Sequence, residues 1–178
     1  MKPPPIYGLL AEFRDANALV EAAARVHGAG YRRLDAYTPF PVEGLAEVLG
    51  FHERRLPMVV LAGGLAGAAA GYGLQYWVSA IAYPLNVGGR PLHSWPAFIP
   101  VTFELTILVA ALAAVLGMLA LNGLPMPYHP VFNVPRFALA SRDRFFLLIE
   151  AADPRFDRAE TRRFLEGLGP REVSDVAH

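Results

Sequence analysis

Charged and apolar positions are distributed very unevenly along this chain. Between Arg55 and Arg90 lie 34 residues without one charged side chain. A second apolar run, Phe98 to Leu121, carries a single charge, Glu104. Roughly 20 apolar residues in helical form cross about 30 Å of hydrocarbon, so each run is long enough to span a bilayer. Backbone amides in lipid must be satisfied within their own segment, which selects helices. The pattern predicts a transmembrane hairpin over 56–121, with helices at about 57–83 and 98–121 and an outer loop at 84–97. The competing reading is a pair of buried core helices, but 178 residues leave too little polar chain to wrap them.

Outside the hairpin the pattern shortens. Ile6 to Phe13 is apolar and bounded by prolines and Arg14-Asp15, as a buried strand would be. Asp15 is placed to cap a helix bearing Leu19, Val20, Ala23 and Val26 on one face, with Gly28 and Gly30 as its stop. Tyr31 to Thr38 alternates as a second strand, and Glu43 to Leu49 has room for one or two helical turns. Beyond the hairpin, 122–135 reads as irregular and Arg136 to Ala140 as extended. Phe145 to Ala151 is the clearest strand of the chain. Asp157 and Glu160 have capping-box spacing ahead of a helix with Phe164, Leu165 and Leu168 on one face. Glu172 to Val176 reads as a last short strand.

Strand–helix–strand on either side of the hairpin makes βαββαβ, the ferredoxin-like order. Neither half could bury its strands alone. The expected architecture is therefore α/β plus membrane, the two-helix hairpin being inserted into one cytoplasmic domain formed by residues 1–55 and 122–178. Two unrelated extramembrane segments are the alternative.

Charge then orients the hairpin. Arginines and lysines number seven before Leu56, one between, and eight after Leu121; acidic residues follow the same seven, one and eight. Arg54 and Arg55 precede the first helix and Arg136, Arg142 and Arg144 follow the second. The positive-inside rule puts both termini in the cytoplasm and loop 84–97 outside. Tyr76, Trp77, Tyr83 and Trp95 suit an outer aromatic belt. A net charge of zero argues against a nucleic-acid partner. The absence of cysteine excludes disulfides, thiolate nucleophiles, iron–sulfur ligation and covalent haem attachment in this chain. Met1 to Pro5 has no apolar core beside it and is unlike a signal peptide.

Candidate functional positions lie mainly in the hairpin. Gly63, Gly67 and Gly71 recur every four residues, and Ala110, Ala114 and Gly117 answer them on the second helix. In lipid, small residues let helices approach closely and gain packing. The face suits either the hairpin partner or a neighbouring subunit. Glu104 is costly inside a membrane and is expected to face protein or water. It is read as a structural carboxyl, with Arg90 one potential mate, or as a proton-relay site; no other titratable residue in either helix continues a relay. Arg90, His93 and Trp95 mark the outer loop. His93 and His129 flank opposite ends of the second helix, too far apart to share one metal. Asp153, Asp157 and Glu160 form an acidic group that capping and surface roles explain without a cation. No nucleophile–base arrangement is present.

One longer run is distinctive. Tyr83-Pro-Leu-Asn-Val-Gly-Gly-Arg-Pro-Leu-His-Ser-Trp-Pro-Ala-Phe-Ile-Pro-Val-Thr-Phe-Glu-Leu-Thr-Ile107, together with Leu74-Gln-Tyr-Trp77, Leu124-Pro-Met-Pro-Tyr-His-Pro130 and Phe145 to Asp157, resembles the small two-helix membrane subunit of alternative complex III, a bacterial quinol–electron acceptor oxidoreductase. The resemblance implies a non-catalytic subunit without a cofactor of its own. It further implies polytopic quinol-site subunits, an iron–sulfur subunit and haem c subunits as partners, in the bacterial cytoplasmic membrane. From residues alone, a free-standing membrane adaptor or sensor with a ligand- or protein-binding domain remains the alternative.

Overall fold

A computed structural model describes residues 6–51 and 54–178. The Met1–Pro5 segment, read above as unlike a signal peptide, lies outside them. The chain divides into two compact units, Met1–His52 with Pro127–His178, and Glu53–Met126.

The first unit is built on a four-stranded sheet. Its strands are β1 (Gly8–Phe13), β2 (Leu34–Tyr37), β3 (Phe145–Glu150) and β4 (Glu172–Val176), ordered β2-β3-β1-β4. All three neighbouring pairs are antiparallel, with Leu10 opposite Leu148 and Ser174, and Ala36 opposite Leu147. Helices α1 (Ala16–Gly28), the single turn α2 (Leu45–Val48) and α5 (Arg158–Glu166) complete the regular structure. Asp15 caps α1 by accepting from the Ala18 amide at 2.9 Å. Asp157 caps α5 by accepting from Ala159 and Glu160 at 3.0 and 2.9 Å. Each carboxylate satisfies first-turn amides that have no partner within the helix.

The central strands β1 and β3 are apolar on both faces because both faces are covered. Leu9, Ala11, Phe13, Leu147 and Ile149 join Leu19, Val26 and Leu165 in one core cluster. Leu10, Phe146, Leu148 and Val176 form a second cluster with Val131, Val134, Phe137 and Ala140. That second cover corrects the expectation of an extended 136–140 segment. The chain there makes two 3-10 helices, Pro130–Asn133 and Pro135–Ser141. The physical reason is in the spacing. Val131, Val134, Phe137 and Ala140 are three residues apart; Phe137 and Ala140 share a side of one 3-10 helix, and all four are buried, with Val134 in the extended link between the two helices. Pro130 and Pro135 each start a helix, where the missing N–H costs nothing.

The second unit is a helical hairpin. Helix α3 (Arg55–Tyr76) continues as a π-helical stretch, Trp77–Ala82, in which the Tyr83 amide donates to Val78 at 3.0 Å. Helix α4 (Trp95–Leu121) starts three residues earlier than the Phe98 expected. Pro96 in the first turn suits a helix start, so the prolines near the loop do not hold the helix back. Both helices are long and apolar enough to cross a membrane.

Candidate functional site

The glycines of α3 meet α4 directly. A Cβ added at Gly63 would stand 2.6 Å from the Ala113 Cβ, and one at Gly71 3.2 Å from the Leu105 Cβ. At Gly67 an added Cβ would run into the Leu105 carbonyl oxygen. Ala110 lies 3.7 Å from the corresponding point on Gly64, and a Cβ added at Gly117 would stand 3.0 Å from a Val59 methyl. Ala114 is half-buried. The small residues thus let the two backbones of the hairpin itself close on each other. Gly73, in contrast, has nothing within 4 Å of an added Cβ.

Polar side chains fasten the other end of this interface. The Gln75 amide donates to the carbonyls of Gly71 and Phe98, each at 3.0 Å, and to the Thr102 hydroxyl at 3.2 Å. Gln75 therefore ties α3 to α4 where a donor without a partner would be costly. Nearby, the Tyr72 hydroxyl and His93 Nε2 are 2.6 Å apart. The His93 ring packs edge-on to Tyr72 and Tyr76, with centroids at 5.9 and 5.1 Å, and lies 5.9 Å from the Phe98 ring. His93, read from the sequence as a loop residue, is part of an aromatic cluster that joins the loop to both helices. Gln75 was missed altogether, although a lone amide amid apolar residues is itself a signal.

Glu104 stands apart from these contacts. It is exposed on α4, and among the described residues it makes no hydrogen bond or ion pair. No ion pair joins it to Arg90. Arg90 lines a shallow hollow of about 230 Å³ with Ser79, Tyr83 and Leu92, and Trp95 is exposed at the start of α4.

In the sheet unit two buried carboxylates are held in different ways. Glu12, only 2% exposed, accepts two hydrogen bonds from Arg136, at 2.7 Å from Nε and 2.9 Å from Nη2. Arg144 Nε lies 3.4 Å away on the other side. Arg136 also reaches Glu172 at 3.1 Å. A buried charge needs such pairing to be tolerated, and the forked guanidinium supplies two bonds in one plane. Asp153 uses backbone instead, accepting from the amides of Arg32, Arg33 and Arg155 at 2.7, 2.8 and 2.8 Å. Burial alone would raise its pKa, but the three amides and the Arg33 charge outweigh it and hold the carboxyl below its usual range. Asp175 is likewise held low, chiefly by the Arg158 bond at 2.9 Å, against burial and with help from Arg162. Asp153 is therefore spent on backbone amides and Asp157 on a helix cap, to which Glu160 contributes its backbone amide. Among the described residues no three His, Asp or Glu side chains converge to hold a metal.

A cleft of about 470 Å³ opens beside edge strand β2, lined by Tyr37, Thr38, His129, Phe132, Phe137 and Ser141 among others. Burial, aided by Asp35, raises the Tyr37 phenol well above its ordinary value, so it stays neutral. His129 Nε2 lies 3.3 Å from the Tyr7 hydroxyl, which also donates to Glu150 at 3.4 Å. Thr38 and Ser141 share this lining with His129, but among the described residues no hydrogen bond joins either hydroxyl to the imidazole; Thr38 donates to the Phe40 carbonyl instead.

No curated protein matches the chain. A sequence profile described as alternative complex III, ActD subunit, matches residues 7–175, which takes in β1, both apolar helices and nearly all of β4. With the match running through both units, the chain belongs to the ActD subunit family of alternative complex III.

Proposed function

We propose that this chain is a non-catalytic integral membrane subunit that stabilises a quinol-oxidising electron-transfer complex. The observation that carries the reading, beside the family, is the exposure of large apolar side chains on both helices of the lone chain away from their mutual contact. Leu61, Leu65 and Ile81 on one and Phe103, Leu108 and Leu116 on the other are each 50% exposed or more. A soluble core helix would have these side chains buried, whereas lipid and neighbouring helices leave them outward. The hairpin crosses the cytoplasmic membrane with loop and His93 cluster outside and both termini inside, following its flanking arginines. The sheet unit is a cytoplasmic domain of ferredoxin-like arrangement, supported by its element order and by the strand order β2-β3-β1-β4.

The chain holds no cofactor of its own. Its partners are polytopic quinol-site subunits, an iron–sulfur subunit and haem c subunits, which carry the redox chemistry. The cleft beside β2 favours a ligand-binding adaptor instead. Isolation through an affinity tag on this chain, in mild detergent, separates the two. Co-isolation of haem c absorbance and iron–sulfur electron-paramagnetic signals is expected; recovery of the chain alone would support the adaptor.

A further inference from the structure

Glu104 lies nine residues into α4, about 14 Å from the Trp95 end and about 25 Å from the Leu121 end at 1.5 Å per residue. The α3-facing side of α4 is marked by Phe98, Thr102, Leu105, Val109 and Ala113. At about 100° per residue, Glu104 points roughly opposite that side. It shares an exposed stripe with Ala97, Val101, Leu108, Ala111 and Val115, spaced alternately four and three residues apart. That alternation is the seam by which one helix packs along another. Ala97 and Ala111 flank the carboxyl with small side chains, which leave room for close approach.

Among its described residues the hairpin gives this carboxyl no hydrogen bond or ion pair. Gln75 and Thr102 are bonded to each other, Thr106 donates to the Thr102 carbonyl at 2.7 Å, and Tyr72 is engaged with His93. An intramembrane carboxyl facing lipid is strongly disfavoured, and such groups pair with protein.

We propose that the Glu104 stripe of α4 docks a transmembrane helix of another subunit, and that this helix presents a hydrogen-bond donor, cationic or neutral, at the depth of Glu104. The proposal rests on the complex-subunit reading and deepens it by naming the docking face and the chemistry of what meets it.

The cysteine-free sequence makes the test direct. Leu108→Cys and Ala111→Cys variants are coupled to benzophenone maleimide in native membranes, irradiated, and the products mapped by mass spectrometry. Both variants are expected to attach to one transmembrane helix of another subunit, with an Arg, Lys, His, Ser, Thr, Tyr, Asn, Gln or Trp within a turn of the attachment point. In the otherwise native chain, Glu104→Leu is expected to lower co-isolation of that subunit about tenfold, while Phe103→Leu, at an equally outward neighbour, changes it little. Glu104→Gln, which keeps an acceptor, is expected to retain most of it. Attachment to lipid alone within an intact complex would overturn the docking face and leave complex membership standing. Attachment to a helix without a donor, or a Glu104→Leu variant that co-isolates normally, would overturn the role given to the carboxyl. A chain recovered without partners would instead overturn the complex-subunit reading itself.

Discussion

Asp153 and Glu12 illustrate how this chain keeps charge inside a small sheet unit. Asp153 gathers three backbone amides from two separate segments, 32–33 and 155, and so fixes the chain before β2 against the turn after β3. Because its folded pKa is depressed, its stabilisation is complete above the unfolded carboxyl's value of about 3.9 and is lost as pH falls through the lower folded value. Asp153→Asn is expected to cost about 1–3 kcal/mol near neutral pH, and the gap to the parent should close below about pH 4. Hydrogen exchange of the β1 and β3 amides in the full-length chain reads both. A gap that persists unchanged in acid would contradict the assignment. Glu12→Gln keeps the shape and loses the charge facing Arg136 and Arg144. The expected cost is about 2 kcal/mol, below the 3–5 of a fully buried pair because the Arg136 side chain remains 45% exposed. The same exchange measurement, made on the amides of 130–141, should show that segment loosening first.

Among elements, the α3–α4 contact depends on absent side chains. Gly67→Ala places a methyl group against the Leu105 carbonyl, and an overpacking cost of about 1–3 kcal/mol is expected. Gly73→Ala meets nothing and is expected to be neutral or slightly stabilising. Thermal unfolding of the two variants in detergent distinguishes them; equal midpoints would remove Gly67 from the interface. The small-residue pattern was legible in the sequence, but which face each glycine served was not. A repeat of four says only that the residues share a side, and Gly73 looks no different from Gly71 until the partner helix is in place. The strands and capped helices around β1 and β3 were legible because their apolar runs are bounded by Asp caps and positive-φ glycines such as Gly30 and Gly169. The 3-10 cover was not, although its signal was present. Four apolar residues at intervals of three fit neither the helical nor the strand period, and they were passed over. Glu12 is not set apart within the Ile6–Phe13 run, because the arginines that let a carboxylate sit there come from far along the chain, Arg136 lying 124 residues away.

For the whole molecule, the orientation proposed from the flanking arginines can be read by labelling from either side of the membrane. Asn86→Cys in the loop is expected to react with a membrane-impermeant maleimide added from outside the cell, and Arg142→Cys only after lysis. The opposite labelling would reverse the orientation. The function proposed above gives this chain a part in assembly of the complex rather than in its redox chemistry. That claim is tested most directly by deleting the chain from its native host, quantifying the remaining complex by haem c content, and measuring quinol oxidation per haem. A marked fall in assembled complex, with near-normal turnover per haem in what survives, is the expected result. A full complement of complex that has lost turnover would place chemistry in this subunit and contradict the assignment.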